Sequence, residues 1–159
     1  MQQGNIMKLG EALSNLKKER TRLARLITLR KENVFVEKGK QTVFSPKQLS
    51  EEIDKKTNEI RILKLQIQTT NLQTKLKLEN MSLAEALLKI NDIRNKIEKL
   101  SSLFERKREL WSREEEKELV PQLDENKIEE EIKNLESEKV KLDNIIQMTN
   151  WNTELHLLQ

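Results

Sequence analysis

Trp151 stands between Asn150 and Asn152 in a chain that has only two tryptophans, three phenylalanines and no tyrosine. An indole offers a flat face on which a planar or cationic group can stack. A side-chain amide both donates and accepts hydrogen bonds. The run IIQMTNWNTEL (145–155) is therefore suited to holding a small molecule. The same residues have two other uses. Amides can satisfy carbonyls left open at a helix C-terminus while the indole plugs the end of a bundle, and tryptophan is a frequent anchor of subunit contacts. All three readings stay open at the level of sequence.

Catalytic chemistry has few candidates. His156 is the one histidine and lies near the chain end, so no Ser-His-Asp arrangement can be assembled around a second one. There is no cysteine, hence no disulfide, thiolate nucleophile or Cys/His metal set, and no glycine-rich phosphate loop. Acid pairs such as Glu114 and Glu116 read as solvated charge on a helix. The expectation is a protein that is not an enzyme and uses no cofactor or metal.

Composition points to the scaffold. Charged residues make up 36% and apolar residues 35%, against roughly 25% and 45–50% in an ordinary globular domain. Helices that each bury one stripe tolerate such a ratio. Three glycines and two prolines leave few turns and long elements. No uncharged apolar run approaches the ~18 residues of a membrane span. The opening MQQGNIMKLG lacks the basic and apolar regions of a secretory signal. A cytoplasmic location is expected, with no membrane partner. The net charge of +3 is unevenly spread: seven basic residues and one acid between Lys17 and Lys31, eleven acids and three lysines between Glu114 and Glu138. Opposite charges of this kind attract within or between subunits. The basic stretch has no aromatic residue to stack a base, which speaks against nucleic acid as a partner.

Four apolar stripes at three- and four-residue spacing predict four helices, at about 7–32, 46–70, 82–117 and 124–150, within a single domain spanning 1–159. The first stripe reads Leu9, Leu13, Leu16, Arg20, Leu23, Ile27, Arg30. The second reads Leu49, Ile53, Lys56, Ile60, Leu63, Ile67, Thr70. The third runs from Ala86 through Ile90, Ile93, Ile97, Leu100, Phe104 and Lys107 to Trp111. The fourth reads Ile128, Ile132, Leu135, Lys139, Leu142, Ile146, Thr149. Ser82 with Glu85, Ser45 before Pro46, and Asp124 after Pro121 are helix-start signals. Between the first two helices, NVFVEKGKQTVF (33–44) changes to a two-residue period around Gly39 and predicts a short β-hairpin. The fold class is thus mainly α: an elongated antiparallel helical bundle or coiled coil with a hairpin between helices one and two. Arg20, Arg30, Lys56, Lys107 and Lys139 interrupt the seams, as polar residues that set register do, or as cations that could line an anion pocket.

MKLGEAL (7–13), NVFVEKG (33–39), QTTNLQT (68–74), MSLAEALLKIND (81–92), RELWSREEEK (108–117) and IIQMTNWNTEL (145–155) follow one another in an order that resembles a bacterial and phage family of long-helix proteins labelled septicolysin-like. Asn91 and the Arg113–Lys117 motif depart from its pattern. The resemblance implies a helical, oligomeric protein whose shared polar positions are Asn33, Asn71, Asp92, Arg113, Asn150 and Trp151. In an up-down bundle Asn71 would approach Asn150 and Trp151, while Asn33, Arg106, Arg108 and Arg113 would gather at the opposite end. The candidate ligand-binding residues are accordingly Asn33, Asn71, Arg106, Arg113, Asn150 and Trp151. The functional expectation is a non-enzymatic homo-oligomer that sequesters a small anionic or nucleotide-type ligand. A structural coiled-coil scaffold for protein partners is the alternative. A cytolysin-like membrane activity follows from the family label alone.

Overall fold

The computed structural model describes residues 7–77, 80–104 and 120–157. Within these the protein is mainly helical: α1 (Leu9–Glu32), α2 (Pro46–Gln73), α3 (Leu83–Ser101) and α4 (Glu125–Asn152). They fall into two compact units. The first comprises Met1–Thr74 and Asn150–Gln159, the second Lys75–Thr149. The last residues of α4, with Trp151 among them, thus belong to the first unit.

The helix starts follow the predicted chemistry. Ser45 Oγ accepts from the Gln48 N–H with Pro46 at the first helical position. Ser82 Oγ accepts from the Glu85 N–H at 3.1 Å, and Asp124 Oδ1 accepts from the Asn126 N–H at 3.0 Å. Each satisfies an amide that the helix itself leaves without a partner. At α1 the acid three residues in does the work: Glu11 Oε2 accepts from the Lys8 N–H at 2.9 Å.

The first unit is built on the α1–α2 pair, and here the seam differs from the expected one. Leu9, Ala12, Leu16, Glu19, Leu23, Leu26 and Arg30 lie buried or half-buried at seam spacing, whereas Leu13, Arg20 and Ile27 are exposed. In the middle of the α1 seam the charge is Glu19, not Arg20. The reason stands opposite: Lys56, the one cation in the α2 seam, places Nζ 2.7 Å from Glu19 Oε2. Arg22 and Glu59 complete a four-charge chain, at 2.6 Å from Glu19 and Lys56 respectively. An apolar seam that must admit one lysine is best met by a carboxylate from the facing helix, because an unpaired charge there would lose its hydration without compensation.

The Lys56 ammonium, with help from Arg22, holds the Glu19 carboxyl below the ordinary carboxylate range despite partial burial. Contact with Glu19 and Glu59 raises the Lys56 ammonium above the ordinary lysine range. A depressed carboxylate contributes stability that is complete above its unfolded pKa and lost as pH falls through the folded one. A raised ammonium contributes stability that is complete below its unfolded pKa and lost as pH rises through the folded one. The pair therefore supports the fold fully between about pH 5 and pH 10. The stability deficit of Glu19→Gln against the natural chain, measured by thermal unfolding, is expected at neutral pH, should begin to shrink as pH falls below about 4 and should vanish only below the depressed folded pKa. A deficit independent of pH would mean that Glu19 is not ionised in the seam.

In the second unit the expected seams are observed: Ala86, Ile90 and Ile93 on α3 and Leu142 and Ile146 on α4 are buried, with Ile97, Leu100, Phe104, Ile128, Ile132, Leu135, Lys139 and Thr149 half-buried. Lys89 pairs with Glu138 at 2.8 Å and Lys96 with Glu131 at 2.6 Å, so α3 and α4 run antiparallel. The α2–α3 connection closes on a bridge between Lys75 and Ser82, with the Leu76 N–H donating to Met81 O at 2.9 Å and Asn80 taking a left-handed turn at φ 46°. Asparagine tolerates that conformation better than most residues.

Two expectations are corrected. The third helix was expected to reach residue 117, but α3 ends at Ser101 and residues 102–104 form a turn. Two consecutive serines have low helix propensity, and Ser102 Oγ donates to Lys99 O at 3.0 Å, competing with the helical pattern. Residues 105–117 lie outside the described residues. The β-hairpin at 33–44 is also absent. A turn closes there, with the Lys40 N–H donating to Glu37 O at 2.9 Å and Gly39 at φ +87°, but no strand pairing flanks it. Phe35 is 89% and Val43 90% exposed. A two-stranded ribbon with no packed face is marginal in water, so the alternating pattern alone does not form a ladder.

Candidate functional site

α1 begins and α4 ends in one place, and the chain's final segment ties them together. Lys8 and Glu154 form an antiparallel bridge. The Leu9 N–H donates to Thr153 O at 2.9 Å, and the Leu155 N–H donates to Met7 O at 2.8 Å. Lys8 Nζ lies 3.2 Å from Glu154 Oε1. One residue further, the His156 N–H donates to Thr70 Oγ1 at 2.9 Å, and that hydroxyl donates to Gln66 O at 2.7 Å. Thr70 is thereby a buried polar side chain with both hydrogen-bonding functions used, as burial demands. Leu9 and Leu155 are buried on either side of the bridge.

This clasp sets Trp151. Its indole lies against the backbone of Gly10, so close that a Cβ at residue 10 would stand 2.8 Å from Cδ2 and 2.9 Å from Cε3. Glycine is required for contact rather than for backbone conformation. The ring is nevertheless 57% exposed. It borders an open groove of about 480 Å³ with Met7, Glu11, Ser14, Asn15 and Lys18. Residues 11, 14, 15 and 18 recur at helical spacing, so one flank of α1, beside the packed seam, forms the other wall together with Met7 just before the helix. Asn15 Nδ2 donates weakly to Met7 Sδ at 3.6 Å, across this wall.

The expected site residues divide. Trp151 lines the groove, whereas Asn150 and Asn71 do not. Asn150 is half-buried in the last turn of α4, and Asn71 follows Thr70 at the end of α2 that the tail clasps. Asn33 caps α1 at its far end, where its Nδ2 donates to Leu29 O at 2.8 Å. Gly10 and Asn33 are 23 positions apart, hence about 34 Å along the axis. Arg106 and Arg113 lie outside the described residues, as do Lys107, Arg108 and Trp111. Sequence reasoning missed Met7, Glu11, Ser14, Asn15 and Lys18. One signal was available: Gly10 is a glycine inside a helical pattern, which weakens a helix and usually marks a close approach. Among the described residues no cluster of three or more His, Cys, Asp or Glu side chains could hold a metal ion. No helix among them is long and apolar enough to cross a membrane.

Fold and site together define a mainly helical protein of antiparallel helix pairs with a tryptophan-edged groove at one helix end. The chain belongs to the family of unknown function DUF6847, whose model matches residues 16–155. Lys18 and Trp151 fall inside that match, and the other groove residues precede it. A crystal structure of a functionally unknown conserved protein from Corynebacterium diphtheriae is similar, with a TM-score of 0.85 at 29% identity over 96% of this chain and 100% of the other. No curated protein matches the chain significantly.

Proposed function

We propose that this protein is a non-enzymatic, homo-oligomeric binding protein that sequesters a small anionic, nucleotide-type ligand on the face of Trp151. The observation that carries the reading is a tryptophan that is more than half exposed yet packed directly against Gly10. A ring with no binding role gains little from such exposure, whereas a stacking platform needs both an open face and a fixed position. The groove volume falls within the roughly 300–1,000 Å³ of small-molecule sites. Lys18 supplies a cation, and Ser14 and Asn15 supply neutral donors.

Titrating a nucleotide panel into a Trp111→Phe variant, where emission reports Trp151 alone, should give saturable quenching and a rise in melting temperature. At a ligand concentration of 100 Kd that rise corresponds to about 2.7 kcal/mol. Silence across the panel in both readouts would overturn the proposal. A scaffold for protein partners is a second reading, favoured by the exposed Phe35 and Val43 of the loop between α1 and α2.

A further inference from the structure

We infer that the groove selects nucleotides whose base presents adjacent N–H donors, as the Watson–Crick edge of guanine does; this deepens the nucleotide reading above and rests on it. Two charged residues line the groove, Glu11 and Lys18. Neither takes part in an ion pair among the described residues, in contrast to Lys8, Glu19 and Arg22 on the same helix. The two are seven residues apart on α1, hence about 10 Å along the axis and nearly on one face. Trp151 sits on Gly10, at the Glu11 end. A base stacked on the indole therefore brings its edge to the carboxylate, and its phosphate extends along α1 toward Lys18 and the start of the basic stretch.

An ionised carboxylate only accepts hydrogen bonds. Glu11 is moreover held in place, because its Oε2 accepts from the Lys8 N–H at 2.9 Å. Oε1 and the remaining lone pairs are left for a ligand. Guanine offers N1–H and the 2-amino group side by side, both donors. Adenine sets its 6-amino group beside the N1 lone pair, cytosine sets its 4-amino group beside N3, and uracil flanks its single N–H with carbonyls. In those three an acceptor faces the carboxylate, which is repulsive and counts against them.

The test uses the full chain carrying Trp111→Phe, with GMP, AMP, UMP and guanosine titrated against Trp151 emission and checked by calorimetry. GMP is expected to bind at least about tenfold more tightly than AMP or UMP, the usual effect of a charge-assisted hydrogen bond. Glu11→Gln keeps an oxygen for the Lys8 N–H, so the helix start is preserved, and should erase the preference. Lys18→Met should weaken GMP while leaving guanosine unchanged. Equal affinities for GMP and AMP, or a preference that survives Glu11→Gln, would overturn this inference and leave the nucleotide reading standing. Failure of every nucleotide to bind would overturn both.

Discussion

Leu9→Ala is expected to be among the most destabilising single changes in the chain, by about 2–5 kcal/mol. Leu9 is fully buried in the first turn of α1. Its own N–H is held by Thr153 O, so the backbone around it has little freedom to collapse into the space that the lost side chain leaves. At this chain length the loss should lower the melting temperature by roughly 4–20 °C. Leu13→Ala is the matched control. Leu13 occupies the heptad-like stripe that the sequence suggests, but it is 38% exposed. Its truncation should cost about 1 kcal/mol or less. Thermal or denaturant unfolding of the two variants separates the seams directly. Equal losses at both positions would place Leu13 in the core and contradict the packing described.

The second large effect is expected at Gly10, in the position of Trp151 more than in global stability. Alanine is the better helix former by about 1 kcal/mol, yet its methyl would meet the indole at 2.8 and 2.9 Å. Overpacking of this kind costs typically about 1–3 kcal/mol. Because the ring is more than half exposed, it can swing outward, which relieves the clash and removes the groove's aromatic wall. In the Trp111→Phe background, Gly10→Ala should shift Trp151 emission to the red and weaken any ligand held on the ring. A double-mutant cycle isolates the cause. With Trp151→Ala in place the clash is gone, and Gly10→Ala should then stabilise by up to about 1 kcal/mol. The same sign and size of effect in both backgrounds would mean that the indole does not rest on residue 10.

These predictions mark where sequence and structure part. The second, third and fourth stripes were legible as far as the described residues go, because each helix presents one clear apolar face with at most one charged interruption. Around α1 the leucines at 9, 13, 16, 23, 26 and 29 support more than one face. The choice between them depends on Lys56 of the neighbouring helix, which selects Glu19 over Arg20 for the seam. In the loop at 33–44 the alternation was real and the turn at Gly39 formed, but strand pairing needs a packed face to reward it and Val43 and Phe35 have none. Asn33, read as a recognition residue, donates its Nδ2 to a carbonyl of its own helix end.

The chain by itself determined four helices, the caps of α2, α3 and α4 and the rarity of an aromatic such as Trp151, since periodicity, capping and composition are local properties that neighbours in sequence decide. It was left to the tertiary structure to decide which face of α1 is buried and what Trp151 touches. Gly10 and Trp151 are 141 positions apart, and only the clasp of residues 153–156 over the ends of α1 and α2 makes them neighbours. A groove between two distant segments has no signature in either one. Its walls exist because hydrogen bonds remote in sequence hold both segments at a fixed separation.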